Sequence, residues 1–365
     1  MSVLFTALRH HPLLWLLPFV PAVFVTEVLA PEAHTALFVL SMLAVVPLAA
    51  ILSHATESVA ATTGDAIGGL LNATLGNLTE LVIALAALRA GDYMLVKASI
   101  AGAIVTNSTF MLGGSFLLGG LRHHVQEFNR STARLQASLL FLATIALLVP
   151  STVTRGDAQE RAAFVQALSL GLAVLLIAGY ALGMLFSLKT HRELFASPSH
   201  GGGHEEAPWP INRALVTLAV VTVLVALVSE VFVESVQHAS EAFGMTPAFV
   251  GFIVVALVGG AAEILSAFSA ARKDRLDLSV GIALGSAAQI ALFVAPVLVL
   301  VSYVIGPVPM DLQFWPGAVT MMLAATFTAS LVTNGGRSAW FVGTLVVMVY
   351  LIFAMSLYLL PPAAA

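Results

Sequence analysis

Two glutamates stand in the middle of apolar segments long enough to cross a bilayer, and the two segments repeat one another without a gap. The first, GGLLNATLGNLTELVIALAALRAG from Gly68 to Gly91, centres on Glu80, and the second, FIVVALVGGAAEILSAFSAARK from Phe252, centres on Glu263. At a constant offset of 183 residues Gly76 meets Gly259, Glu80 meets Glu263, Ala84 meets Ala267, Arg89 meets Arg272, Leu95 meets Leu278 and Gly102 meets Gly285. An internal duplication of this kind predicts a fold of two related halves.

On a helix turning about 100° per residue, Gly69, Ala73, Gly76, Asn77, Glu80, Ala84 and Ala87 share one face, and Leu71, Leu75, Leu78, Val82 and Leu85 the other. The second copy divides in the same way. Ala256, Gly259, Gly260, Glu263, Ser266, Ala267 and Ala270 oppose Val254, Val258, Leu265 and Phe268. One face suits lipid, and the other suits close helix contact around a polar site.

Composition leaves no soluble alternative. Hydrophobic residues are 59% of the chain and charged residues 9%, with a mean hydropathy of +0.99, whereas a soluble domain carries about 25% charge. The chain is therefore predicted to be all-α and polytopic, with function inside the membrane or at its edge. A net charge of −4 without a basic cluster excludes nucleic acid. The absence of cysteine removes disulfides, thiolate metal sites and a Cys nucleophile. Neither HExxH nor GxSxG occurs in the spans, so an intramembrane hydrolase, and with it any catalytic residue, is set aside. No nucleotide fold or cofactor is expected, and an ion gradient must drive any transport.

A window of about 19 apolar residues per span gives eleven helices, near 12–30, 34–52, 68–89, 93–119, 133–151, 161–187, 212–234, 247–271, 276–304, 313–333 and 338–360. They divide into an amino-terminal helix in 1–30, a first five-helix repeat in 31–188, a linker in 189–211 and a second five-helix repeat in 212–365. The first helix is read as retained, although Arg9, His10 and His11 before an apolar run ending in VLAPEA also fit a secretory signal. Alternate connections differ in charge. Arg9, Arg122, Arg130, Arg134, Lys189, Arg192, Arg213, Arg272, Lys273, Arg275 and Arg337 fall on one side, against Arg89, Arg155 and Arg161 on the other. The positive-inside rule then places the amino terminus and the 189–211 linker in the cytoplasm and the carboxyl terminus outside. In that topology the Glu80 helix runs outward and the Glu263 helix inward, so the repeats are inverted. Their acidic faces meet near the midplane, where the repeats can rock about a fixed site.

A carboxylate at bilayer depth costs several kcal/mol unless it is protonated, paired or bound to a cation, which makes Glu80 and Glu263 functional candidates. Two facing carboxylates with amide and backbone oxygens form a hard-cation site, because Ca²⁺ takes about 6–8 oxygens in flexible geometry. Asn77 supplies an amide, and Gly76, Gly259 and Gly260 let the helices bend and free carbonyls. Lack of thiolate and intramembrane His disfavours softer metals. A second polar stripe, Ser99, Thr106 and Asn107 with Ser286 and Gln289, is placed to line the same cavity; the competing reading for its hydroxyls is bonding back to their own helices. Glu57, Glu230 and Glu234, read as lying at helix ends, are candidate pathway groups, with solvated termini as the competing reading. Lys97 is expected to snorkel to the interface. His191, His200, His204, Glu205 and Glu206 are read as a solvated linker, with a metal or pH sensor as the competing reading.

With these residues in hand, GGLLNATLGNLTELVIAL with KASIAGAIVTN, and FVGFIVVALVGGAAE with DLSVGIALGSAAQIALF, resemble the two α-repeats of Ca²⁺/H⁺ antiporters in the cation/Ca²⁺ exchanger superfamily. The resemblance implies that Glu80 and Glu263 are cation ligands and proton acceptors, with Asn77 and neighbouring backbone in the site. Two departures stand out: GGAAE occurs where members usually have GNAAE, so Gly260 offers no amide, and Lys97-Ala98-Ser99 occurs where many have QAS. The expected function is export of cytoplasmic Ca²⁺ in exchange for protons by alternating access, in a prokaryotic plasma membrane, with a vacuole-like organelle as the alternative. The expected partners are the lipid bilayer, Ca²⁺ and protons, with no nucleotide, and an oligomer is compatible with the sequence. The rivals are a Na⁺/Ca²⁺ exchanger of the same superfamily and a passive cation channel.

Overall fold

The computed structural model describes residues 12–63, 68, 70–71, 74–153, 157–190 and 208–360. Its helices are α1 (Phe19–Leu29), α2 (His34–Thr62), α3 (Leu78–Ala90), α4 (Tyr93–His123), α5 (Arg130–Thr152), α6 (Ala158–Thr190), α7 (Ile211–Ala242), α8 (Pro247–Gly259), α9 (Ala261–Arg272), α10 (Leu276–Ile305), α11 (Pro316–Thr333) and α12 (Trp340–Leu359). Eight of them, α2, α4 to α7 and α10 to α12, are long and apolar enough to cross a membrane, and the bent pair α8–α9 makes a ninth span.

The eleven expected spans are therefore not all present as such among the described residues. Residues 12–30 hold only a short apolar helix, Leu13–Leu29. In the expected span 68–89, α3 is the helix described, and residues 64–67, 69, 72 and 73 lie outside the described set. Arg155 and linker residues 191–207, with His191, His200, His204, Glu205 and Glu206, also lie outside it.

Two helices run further than expected, because no glycine or proline interrupts SHATESVAAT or VFVESVQHASEA. Glu57 consequently lies within α2, and Glu230 and Glu234 lie within α7, instead of at helix ends. The far end of the linker is docked as well. The Trp209 amide donates to the Ser58 hydroxyl at 3.1 Å, and its ring stands edge-on to His54 with the Arg213 guanidinium over it.

Local signals set the other ends. Gly91 closes α3 in the left-handed conformation, φ 80°, which glycine adopts without penalty. The Asp92 carboxylate then accepts from the Leu95 amide to start α4. Asn129 caps α5 through the amides of Ser131 and Thr132, and Asp157 caps α6 through that of Glu160. The helical pattern has one exception, a two-stranded ribbon in which β1 (Val125–Glu127) pairs antiparallel with β2 (Arg337–Ala339), Gln126 opposite Ser338.

The ribbon identifies one end of the molecule. There the Gln126 amide also donates to the Ala271 carbonyl at 2.9 Å and the Asp274 carboxylate at 2.7 Å, which joins the connections near 124, 272 and 337. At the other end the connection after α10 meets the first repeat. Tyr93 donates to the Val308 carbonyl, and the amides of Leu312 and Phe314 donate to the hydroxyls of Ser169 and Ser151. Between the ends α4 is buried deeply because glycines admit other backbones: a Cβ at Gly102 would lie 2.1 Å from the Phe252 carbonyl oxygen, and one at Gly343 would lie 2.2 Å from the Leu117 nitrogen.

Candidate functional site

The two glutamates occupy matched places at matched helix breaks. Between α8 and α9 the path bends by 57°, at Gly260. Before α3 the chain turns at Gly76 and Asn77, and Asn77 is the residue that the 183-residue offset pairs with Gly260. The backbone of Asn77 has φ −98° and ψ 31° and that of Gly260 has φ −81° and ψ 5°, both outside the helical basin. New helices begin immediately after, with Leu81 bonded back to the Asn77 carbonyl and Ile264 to the Gly260 carbonyl. Each glutamate is thus the third residue of its helix, in a first turn whose amides lack intrahelical partners.

The carboxyl groups converge. Ser286 lies beside Glu263, and the carboxyls of Glu80 and, from the exposed side of α2, Glu57 are near enough to act on it electrostatically. The Glu80 side chain lies on the opposite break: a Cβ on Gly259 would stand 3.2 Å from its Cγ, and one on Gly260 would stand 3.5 Å from its Oε1. The missing side chains at Gly259 and Gly260 are what make room for it. The Glu263 Oε2 is buried and receives no hydrogen bond among the described residues. A buried carboxylate oxygen without a donor is unfavourable, and a bound proton or cation relieves it.

A chain of amides and hydroxyls holds the breaks in place. Asn77 Nδ2 donates to Gln289 Oε1 at 2.5 Å, Ser286 Oγ donates to Asn77 Oδ1 at 2.7 Å, and Asn107 Nδ2 donates to Ser286 Oγ at 2.9 Å. Asn107 and Ser286 stand on α4 and α10, where the helices widen into π turns at Thr106–Met111 and Ile290–Val294, again at matched positions. Such widening is frequent at functional sites.

Other expected members fall differently. Ser99 donates to the Val96 carbonyl of its own helix and takes no part in the network. Thr106 is buried beside the Tyr350 hydroxyl of α12. Glu230 is paired with Arg89 at 2.8 Å, and Glu234 is exposed. Lys97 does not simply snorkel: its ammonium meets the Asp311 carboxylate at 2.6 Å, and this partner, 214 residues away, has no local signal in the sequence. The meeting of Thr106 with Tyr350 likewise has no local signal in the sequence, since it is made only by the fold.

The model of the sodium/calcium exchanger protein family matches residues 33–189 and 213–359. The chain is similar to a Ca²⁺/H⁺ antiporter of Aphanothece halophytica, 39% identical over 344 residues that cover 90% of this chain and 91% of that protein. It is 40% identical over 343 residues to a Ca²⁺/H⁺ antiporter of Synechocystis sp., with coverage of 90% and 92%. Its fold resembles the solved structure of native YfkE with a TM-score of 0.81 and 34% identity, over 96% of this chain and 100% of that one.

Proposed function

The chain belongs to the sodium/calcium exchanger protein family, and on that premise we propose that it exchanges Ca²⁺ for protons by alternating access, with Glu80 and Glu263 as the groups both ions share. It is an integral membrane ion exchanger and not an enzyme, and Ca²⁺ and H⁺ are its cargo, not cofactors. The observation that carries the reading is the matched pair of carboxylates at two helix breaks, one of them with a buried oxygen that lacks a donor.

The chemistry is competitive occupancy. A Ca²⁺ ion takes both carboxylates ionised, and it needs further oxygens that Asn77, the carbonyls freed at the breaks and water supply. Protons on Glu80 and Glu263 remove the negative charge that holds the cation and leave carboxyl groups that an apolar surround tolerates. Each occupant excludes the other, so an inward proton gradient drives Ca²⁺ out if the site faces the two sides in turn. Glu57, exposed on α2 and near enough to act electrostatically on Glu263, serves as the outermost acidic group of the site. Glu230, engaged by Arg89, is not needed in this scheme. The distribution of Lys and Arg supports a cytoplasmic amino terminus and a carboxyl terminus outside, and the short connections and bacterial relatives support export of Ca²⁺ across a prokaryotic plasma membrane.

The test is Ca²⁺ uptake into proteoliposomes with an acidic lumen. Uptake against the Ca²⁺ gradient is expected for the native chain and is expected to vanish in Glu80→Gln and Glu263→Gln. Uptake driven only by an outward Na⁺ gradient would transfer the protein to Na⁺/Ca²⁺ exchange, and uptake that never exceeds equilibrium would make it a channel.

A further inference from the structure

The connections at the ribbon end carry a charge that the carboxylate site does not use. Arg122, Arg130, Arg134, Arg272, Lys273 and Arg337 are exposed there. The acids among them are Glu127, opposite Arg337 in the ribbon, Asp274, which accepts from Gln126, and Asp277, which accepts from the Asn129 amide. Cations therefore outnumber acids two to one before Arg275 is counted.

The fold gathers three of these cations at one corner. The Nε2 of His123, at the end of α4, meets the Arg272 carbonyl at 3.1 Å, which brings the end of α9 beside Arg122. Gly120, two residues before Arg122, lies against the start of α12: a Cβ there would fall 2.2 Å from the Trp340 nitrogen and 2.7 Å from its Cα. Arg337 comes three residues before Trp340 and is exposed on the ribbon, whose buried face is taken by Gln126 and Ser338.

Apolar side chains continue the same corner toward the spans. Leu121 is 62% exposed, Trp340 45% and Phe341 57%, and the two rings meet edge to face at 5.7 Å. They stand in the last turn of α4 and the first turn of α12, where a span passes from acyl chains to headgroups. Rings at that depth keep an apolar body in lipid beside a polar region. A soluble phosphate would engage only the arginines, whereas a phospholipid engages arginines and rings together.

We propose that this corner, where α4, α9 and α12 meet, binds one anionic phospholipid, its phosphate held by Arg122, Arg272 and Arg337 and an acyl chain laid on Leu121, Trp340 and Phe341. Guanidinium groups suit the phosphate because they present paired N–H donors in one plane and stay charged at any physiological pH. Arg122 belongs to the first repeat and Arg272 and Arg337 to the second, so the lipid joins the two at the end where the ribbon already does so. A zwitterionic lipid has the same chains, but its choline cancels the phosphate charge that the arginines would hold.

Native mass spectrometry of the full chain and its thermal midpoint in detergent test this, with phosphatidylglycerol, phosphatidylcholine and glycerol phosphate as probes. Phosphatidylglycerol is expected to stay bound and to raise the midpoint, and the other two to do neither. Each cation beside an anionic lipid changes affinity about fivefold, so Arg122→Gln, Arg272→Gln and Arg337→Gln together are expected to weaken phosphatidylglycerol binding roughly a hundredfold. Arg161→Gln on α6, whose Gln166 reaches the opposite end at Met310, is expected to leave binding unchanged. Equal retention of phosphatidylcholine would make the corner ordinary contact with bulk lipid, and stabilisation by glycerol phosphate alone would make it a site for soluble phosphate; either overturns the proposal. If the triple variant does not fold, the native chain decides: retention of phosphatidylglycerol should fall as salt is raised, and retention indifferent to salt would show that the arginines do not hold it.

Discussion

The two breaks are equivalent in backbone but not in side chains, and Asn77 carries the difference. Its amide both donates to Gln289 and accepts from Ser286, while its mate Gly260 contributes only backbone and the space that Glu80 fills. Replacing Asn77 by Ala would leave the partly exposed Gln289 oxygen without a donor and the buried Ser286 hydroxyl without an acceptor. A buried orphaned group costs about 1–3 kcal/mol, so Asn77→Ala is expected to lower the thermal midpoint in detergent and weaken Ca²⁺ binding, as calorimetry would record. An unchanged midpoint with native binding would show that the network does not hold the break. Most of these residues were legible beforehand, because an amide or carboxylate in an apolar span is conspicuous. Hydroxyls were not: Ser99 and Ser286 look alike in sequence, yet one bonds back to its own helix and the other bridges two amides. The Lys97–Asp311 pair was equally hidden, since its partners meet only through the fold.

At the level of elements the breaks were foreseeable from their glycines, whereas the lengths of α2 and α7 and the widened turns in α4 and α10 were not. Hydropathy ends a span where charges begin, but a helix goes on past the charges while good helix formers continue. That rule explains why Glu57 belongs to the interior of α2 and not to its end. Close glycine contacts between helices are a second feature with a measurable consequence. A Cβ on Gly343 of α12 would stand 2.2 Å from the Leu117 nitrogen and 2.5 Å from the Gly113 carbonyl oxygen, so α12 would have to move away from α4. Overpacking of this kind costs about 1–3 kcal/mol. Gly343→Ala is therefore expected to lower the thermal midpoint and, because α12 also seats Tyr350 against Phe110, to reduce transport. Gly171→Ala on α6, where nothing among the described residues lies within 4 Å of the added atom, is the matched control and is expected to leave transport unchanged and the midpoint unchanged or slightly raised. Equal midpoints for the two variants would mean that the α4–α12 contact contributes nothing to stability.

For the whole molecule, inverted repeats invite the expectation that one half rocks against the other as a block. The connections argue for a different movement. At one end β1 of the first repeat is paired with β2 of the second, and Gln126 also reaches Ala271 and Asp274. At the other end the connection after α10 accepts hydrogen bonds from Tyr93 and Lys97 and donates to Ser151 and Ser169, all of the first repeat. Block motion would have to break both sets, whereas bending at the two helix breaks, Asn77 and Gly260, would leave them intact. A cross-link through the ribbon separates the two pictures. Val125 and Ala339 are direct partners across it, and the Cα atoms of antiparallel partners stand about 4.5–5.5 Å apart, within disulfide range. Val125→Cys with Ala339→Cys is expected to form a disulfide on oxidation and to transport Ca²⁺ on a pH gradient within about twofold of the reduced protein, because a constraint on elements that do not separate adds no barrier. Transport lost on oxidation and recovered on reduction would mean that the repeats part at the ribbon in every cycle, and the local movement of the broken helices would then be insufficient to alternate access.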